Sequence, residues 1–229
     1  MAMQEQLTRV KEMASREETK GARVYTVVSG KGGVGKSNLA LNLALAFSSM
    51  DRRVTLLDAD TRLSNVHILS GETGTGTLAG VVGGRSRISD LEVRTSSGLT
   101  VVSAPAGTSD LDGFDESVKN MLFHDVYRRR QENDDIFIDT AAGLSRSIVD
   151  FALLADTVIV IITPDPAAVS DAYALVKILH TMEPGCDFGI VVNFADSEKQ
   201  AEEVYDRFSL VVEHFLHRDT RYLGCIPED

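Results

Sequence analysis

Nine consecutive residues, Ser29-Gly30-Lys31-Gly32-Gly33-Val34-Gly35-Lys36-Ser37, carry the residue types needed to hold a chain of phosphates. Glycines at 30, 32, 33 and 35 leave no Cβ between the backbone and an anion, so successive N–H groups can turn inward onto phosphate oxygens. Lys36 reaches the β- and γ-phosphates of a nucleotide. The Ser37 hydroxyl is a hard oxygen ligand suited to Mg²⁺. The spacing G-x-x-x-x-G-K-[ST] is met by Gly30, Gly35, Lys36 and Ser37, and Val34 and Asn38 complete the contact set. A second lysine, Lys31, is not needed by an ordinary phosphate loop and is available for another task.

Carboxylates follow at positions that suit this loop. Arg53-Val54-Thr55-Leu56-Leu57 reads as a strand running into Asp58-Ala59-Asp60. Two residues apart on an extended chain, Asp58 and Asp60 point the same way, toward a metal and a γ-phosphate. The alternative for this pair is a cap on the following turn. Asp135-Ile136-Phe137-Ile138-Asp139 is an apolar strand ending in a carboxylate, the Walker B arrangement, with Asp139 acting on Mg²⁺ through its water shell. Gly143, four residues on, can bring its backbone to the γ-phosphate and so sense whether it is present. Asn193 ends Gly189-Ile190-Val191-Val192-Asn193 and offers a donor and an acceptor to an adenine edge. Its alternative role is to cap the next helix.

The elements that must position these groups alternate in kind. Arg23–Val28 is apolar and β-branched like a buried strand, and Asn38–Phe47 reads as a helix, giving the strand, loop, helix context that the phosphate loop requires. Further strands are expected at Leu99–Ser103, Thr157–Ile162 and Tyr222–Pro227. The unbroken run at 157–162 marks a central parallel strand buried on both faces. Helices are expected from the spacing of Phe114, Val118, Met121, Leu122 and Val126. A second follows Ala167, with Ala172, Leu175, Val176 and Leu179 inward. A third carries Ala201, Val204, Tyr205, Phe208, Val211, Val212 and Phe215. A short helix is expected over Thr77–Val82, and residues 1–21 read as a polar tail, either disordered or a short helix. The fold class is α/β, a doubly wound and mainly parallel sheet flanked by helices, in one domain over 22–229.

Composition narrows the partners. The 229 residues carry a net charge of −11, which opposes a surface built to neutralise a nucleic-acid backbone. Arg128-Arg129-Arg130 suits the negative end of a helix better than a nucleic-acid patch. Two cysteines, Cys186 and Cys225, without metal spacing, and no secretory leader point to a reduced, cytoplasmic setting. His214 and His217 read as surface residues.

The pattern K-G-G-x-G-K-S at 31–37 resembles the deviant Walker A box of the MinD/ParA family of P-loop ATPases. The resemblance implies an ATP-dependent homodimer in which Lys31 of each subunit reaches the nucleotide of the other, with Lys31 and Lys36 both catalytic. Leu57–Val66 is similar to the same family, in which the second aspartate orients the attacking water. That role falls to Asp60 here, and a metal-water contact to Asp58. Asp139-Thr140-Ala141-Ala142-Gly143-Leu144-Ser145 and Thr163–Lys177 resemble the flagellar branch, FlhG. The family places its base-contacting asparagine at Asn193, and Tyr222–Pro227 resembles its G-x-I-P sequence, which brings Pro227 to the base.

The resemblance implies a slow, partner-stimulated ATPase with ATP/ADP and Mg²⁺ as ligands. It further implies a role in flagellar number or placement, with an FlhF-type SRP GTPase and the flagellar switch complex as partners. A MinD-type division-site regulator, a ParA-type DNA-segregation ATPase and a nucleotide-gated scaffold with little hydrolysis are the alternatives. These 229 residues stop where relatives continue into a membrane-targeting helix. Membrane docking is therefore not expected of this chain, and peripheral attachment at the inner face of the membrane would need a longer C-terminus.

Overall fold

The computed structural model describes residues 21–60, 81, 87–103 and 116–228, with the side chains of 103 and 116–119 excepted. In chain order the elements are β1 (Arg23–Val28), α1 (Lys36–Ser48), β2 (Val54–Asp58), a 3₁₀ turn (Ile88–Leu91), β3 (Glu92–Arg94), β4 (Thr100–Ser103), α2 (Glu116–Arg130) and β5 (Asp135–Asp139). They continue with α3 (Arg146–Ala152), β6 (Thr157–Ile162), α4 (Pro166–Met182), β7 (Phe188–Ala195), α5 (Glu198–Leu216) and β8 (Arg221–Pro227).

Eight strands form one sheet in the order β3-β4-β2-β5-β1-β6-β7-β8. Every pairing is parallel except β3 with β4. Because parallel neighbours need crossovers, helices cover both faces, and the central strands β2, β5 and β6 are buried at every position. β6 is buried at every position, as its β-branched run requires. On one face Leu39, Ala40, Leu41 and Ala44 of α1 pack on Val27, Leu56, Phe137, Ile159 and Ile161. On the other, Ile148, Leu175, Phe208 and their neighbours from α3, α4 and α5 pack on Val158, Val160, Ile162, Ile190 and Val192. Alternate residues of β6 thus serve opposite cores, the period-two signature of a strand buried on both sides.

The winding reverses at β1. The chain leaves β1 toward β2 on one side, returns to β5, then crosses to β6 on the other side. In open α/β sheets the crevice at such a reversal, outside the carboxyl ends of the strands, is where ligands bind.

Several expectations meet the structure with differences. The inward residues of α4 are as expected, and Ala201, Val204, Phe208 and Val212 of α5 are buried. Val211 and Phe215 are instead exposed, because α5 is a covering helix whose buried stripe is narrower than its apolar one. The 3₁₀ turn, the antiparallel edge strand β3 and helix α3 have no counterpart in the sequence reading. Each is only three to seven residues long, too short for periodicity to register. The three arginines of α2 do not form an open cationic patch. Arg128 pairs with Asp125 and Glu132, Arg129 is buried against Asp125 and Glu92, and Arg130 reaches Asp156. The expected short helix over 77–82, apart from buried Val81, lies outside the described residues, as do Phe114 and the tail at 1–20.

Candidate nucleotide site

The loop at 29–37 joins β1 to α1 at the reversal point, and α1 begins at Lys36. Gly35 supplies the left-handed residue in front of it, φ 88 and ψ 15, which lets the chain turn sharply from the loop into the helix axis. A Cβ there would also collide with the Asn193 amide. Gly30 is needed for a different reason than phosphate approach: a Cβ would run into the backbone of Asp171 in α4, so this glycine lets α4 press against the loop. At Gly32 and Gly33, by contrast, a Cβ would meet nothing within 4 Å. The cradle is open on that side, toward the space a ligand would take.

Beneath the loop, Lys36 and Asp139 form a buried ion pair, Nζ to Oδ1 2.7 Å, with 7% and 1% of each residue exposed. Such a pair is held together by the cost of leaving either charge alone away from water. The second oxygen of Asp139, Oδ2, is buried and has no hydrogen-bond partner. Asp58 stands beside it, since β2 and β5 run in register with Asp58 opposite Asp139 and side chains of register partners share a face. Asp58 Oδ1 accepts the Asp60 N–H at 3.0 Å, the turn-capping bond the sequence allows as an alternative, and this bond fixes how the chain leaves β2. The Ala59 N–H donates to the Asp139 carbonyl at 2.8 Å, tying the two strand ends together. Asp60 is half-buried, just past the strand end.

The strand ends are locked to the loop by further bonds. The Thr140 hydroxyl donates to the Val27 carbonyl at 3.0 Å, and the Gly143 N–H donates to the Ser29 carbonyl at 2.9 Å. Gly143 has φ 109 and open space where a Cβ would stand. The amide assigned to a γ-phosphate is therefore held on the loop itself. Asn193, 5% exposed, donates from Nδ2 to the Val34 carbonyl at 2.8 Å and accepts the Phe194 N–H at Oδ1, 3.0 Å. It does not cap α5: that N-cap is Ser197, whose hydroxyl accepts from Gln200. Asn193 thus supports the phosphate loop from β7. Ser37 sits half-buried in the first turn of α1, Asn38 is exposed one residue on, and Pro227 is exposed at the end of β8.

Lys31 lies at the outer side of the loop, its side chain 46% exposed. Its ammonium is hydrogen-bonded to Asp165 of the same chain, which raises the lysine pKa and holds the Asp165 carboxyl below its ordinary range. Asp165 is also the N-cap of α4, accepting the Ala167 N–H at 2.9 Å ahead of Pro166. In the sequence, Asp165 falls within the run Thr163–Lys177 and carries no role of its own. An aspartate directly before a proline that opens a helix is the signal that identifies this cap.

The residues present fit a phosphate chain with a hydrated cation. Two carboxylates, Asp58 and Asp139, and the Ser37 hydroxyl are fewer hard ligands than an all-protein cage. Among the described residues no cluster of three or more His, Cys, Asp or Glu could hold a metal ion. That donor set suits a cation such as Mg²⁺, which keeps most of its water and leans on substrate phosphates.

Residues 25–229 match the family described as the CobQ/CobB/MinD/ParA nucleotide binding domain. The chain belongs to this family. Within the family it is a MinD/ParA-type P-loop ATPase domain. The chain is 35% identical over 207 residues to the antiactivator FleN of Pseudomonas aeruginosa, an alignment covering 90% of this chain and 74% of FleN. It is 28% identical over 222 residues to the flagellum site-determining protein YlxH of Helicobacter pylori, covering 96% and 75%. In fold it is similar to the septum site-determining protein MinD of Pyrococcus horikoshii, solved with Mg-ADP: TM-score 0.73, 23% identity, 91% of this chain and 82% of that one. Among the described residues no helix of this P-loop domain is long and apolar enough to cross a membrane.

Proposed function

We propose that this chain is a Mg²⁺-dependent ATPase switch that dimerises with ATP and regulates flagellar number or placement. The observation that carries the enzymatic half is the buried Lys36–Asp139 pair under an open, glycine-lined cradle, with Asp58 in register beside it. In this reading the loop amides, Lys36 and Asn38 bind the phosphates, and Ser37, Asp58 and Asp139 hold the cation. Bound Mg²⁺ would neutralise charge on the β- and γ-phosphates. Asp60 orients the attacking water. Lys31 exchanges Asp165 for the nucleotide of a second subunit, and Gly143 leaves Ser29 to face the γ-phosphate. Asn193 and Pro227 border the base.

The flagellar half is supported by the likeness to FleN and YlxH and by the two segments, 139–145 and 163–177, that resemble the FlhG branch. Its partners would be an FlhF-type SRP GTPase and the flagellar switch complex. A MinD-type division role is the second reading, favoured by 33% identity over 162 residues to Bacillus subtilis MinD, which covers 69% of this chain and 59% of that protein.

Phosphate release from ATP, measured for wild type, Lys31→Ala and Lys36→Ala, tests the enzymatic half. Slow turnover in wild type is expected, with almost none in either variant; wild-type release equal to that of Lys36→Ala would refute hydrolysis. Pull-downs with flagellar and division proteins in ATP and in ADP separate the two biological readings. Capture of flagellar proteins in ATP alone supports the first, and capture of division proteins alone supports the second.

A further inference from the structure

Phe194, directly after Asn193, is a bulky aromatic in left-handed backbone, φ 57, and 41% of it is exposed. That region of φ and ψ is unfavourable for a large side chain, and such residues persist where the surroundings hold them there. Here the Asn193 Oδ1 accepts the Phe194 N–H, and the pairing of β7 with β8 slips between Asn193 and Ala195. The slip is a bulge, a device that re-aims a side chain. Along β7, Phe188, Ile190 and Val192 face the core under α4 and α5, while Val191 packs in the core under α1. Simple alternation would send residue 194 back under α4 and α5. Instead its ring is turned to the phosphate loop, where a Cβ on Gly35 would stand 3.8 Å from the ring tip Cζ.

The neighbouring strand adds apolar surface at the same place. β8 sets Ile226 opposite Asn193 and Pro227 opposite Ala195, with Ile226 38% exposed. An aromatic face and two apolar residues therefore stand open at the carboxyl ends of β7 and β8, next to the helix start that would receive the phosphates. Isolated exposed apolar residues are ordinary on a protein surface; one held in a disfavoured conformation and aimed at the loop is not.

We propose that Phe194 is the base-stacking platform of the nucleotide site, taking the face of adenine on its ring, with Ile226 and Pro227 bordering the base. The proposal rests on the ATP reading above and deepens it. Stacking supplies affinity through the flat face of the base. It leaves Asn193 free to keep both of its bonds within the protein.

The chain contains no tryptophan, so Phe194→Trp installs a single fluorescent reporter. Its emission should change saturably with ATP and stay constant with inorganic tripolyphosphate. Phe194→Ala should weaken ATP binding by about ten- to a hundredfold, the usual loss when a stacking ring is removed, and leave tripolyphosphate affinity unchanged. Phe194→Asn should show the same loss while melting no lower than wild type, because asparagine tolerates left-handed backbone. Alanine and asparagine variants that bind ATP like wild type overturn the proposal, as does Trp emission blind to saturating ATP. An equal loss for ATP and tripolyphosphate also overturns it, since that marks a disturbed loop. If wild type binds neither ligand, the nucleotide-site reading itself fails and takes this proposal with it.

Discussion

Strand β5 carries a buried aspartate at each end, and the two ends are built for different purposes. At the amino end, Asp135 is fully buried and bonded to Arg52, whose side chain is 43% exposed. Next to it Asp134 is paired with Arg53 by side chain and backbone, Nη2 to Oδ1 2.7 Å. At the carboxyl end, Asp139 is equally buried but bonded to Lys36, itself only 8% exposed in its side chain. Each aspartate keeps one buried oxygen without a hydrogen-bond partner, so that feature alone does not mark a site. The surroundings do. Around Asp135 the neighbours are arginines that reach solvent, whereas around Asp139 stand Asp58, a glycine loop with open space over it, and a helix N-terminus. The contrast is one of place: the Arg52–Asp135 pair fastens the amino end of the strand at solvent, whereas the Lys36–Asp139 pair stands at the carboxyl end, where open α/β sheets keep their ligands.

The comparison breaks most sharply at Lys36. Lys36→Ala is expected to weaken ATP binding by at least about a hundredfold by titration calorimetry. It should also lower the stability of the ligand-free protein by about 3–5 kcal/mol in urea unfolding, because Asp139 is left buried and alone. Retained ATP affinity would place the phosphates elsewhere. Asn193→Ala removes the bond that holds Val34 and should weaken ATP by about tenfold, roughly the value of one or two buried hydrogen bonds, with a smaller change in melting temperature.

At the other end of β5, Arg52→Ala should lower the melting temperature by about a few degrees and leave ATP affinity at the wild-type value. A change in affinity would mean that the two ends are coupled. The smallest effect is in acid. Asp134 titrates at about 2, mainly because of its hydrogen bonds to the Arg53 side chain and backbone. A carboxylate depressed in the folded state contributes stability that is complete above its ordinary pKa near 4 and is lost as pH falls through the folded value. Unfolding curves of wild type and Asp134→Asn should therefore converge between about pH 4 and pH 2. Curves that stay equally separated throughout would remove this pair from the account.

Much of the carboxyl end was legible in the sequence, because a phosphate loop needs glycines and a lysine at fixed offsets and a strand that ends in a carboxylate shows as an apolar run closed by Asp. In the structure Lys36 and Asp139 meet, with Asp58 in register beside Asp139. What the sequence hid was contact between distant segments. The bond from Lys31 to Asp165 spans 134 positions, and that from Asn193 to Val34 spans 159. Neither leaves a local pattern. The register that sets Asp58 beside Asp139 is likewise a property of the closed sheet, although each strand alone was evident. Phe194 was hidden because an aromatic after a strand reads as one more apolar residue until its backbone angle is known. The amino end was least legible: Arg52, Asp134 and Asp135 look like ordinary surface charge in a chain rich in both signs.

The central claim is that the γ-phosphate joins two subunits through this site. Light scattering on Asp60→Ala tests it most directly, because a variant that binds ATP and cannot position water should hold the joined state. With Mg²⁺ and ATP its mass should be about twice the 24.9 kDa of one chain, and with ADP it should equal one chain. A mass of one chain at saturating ATP would contradict the account.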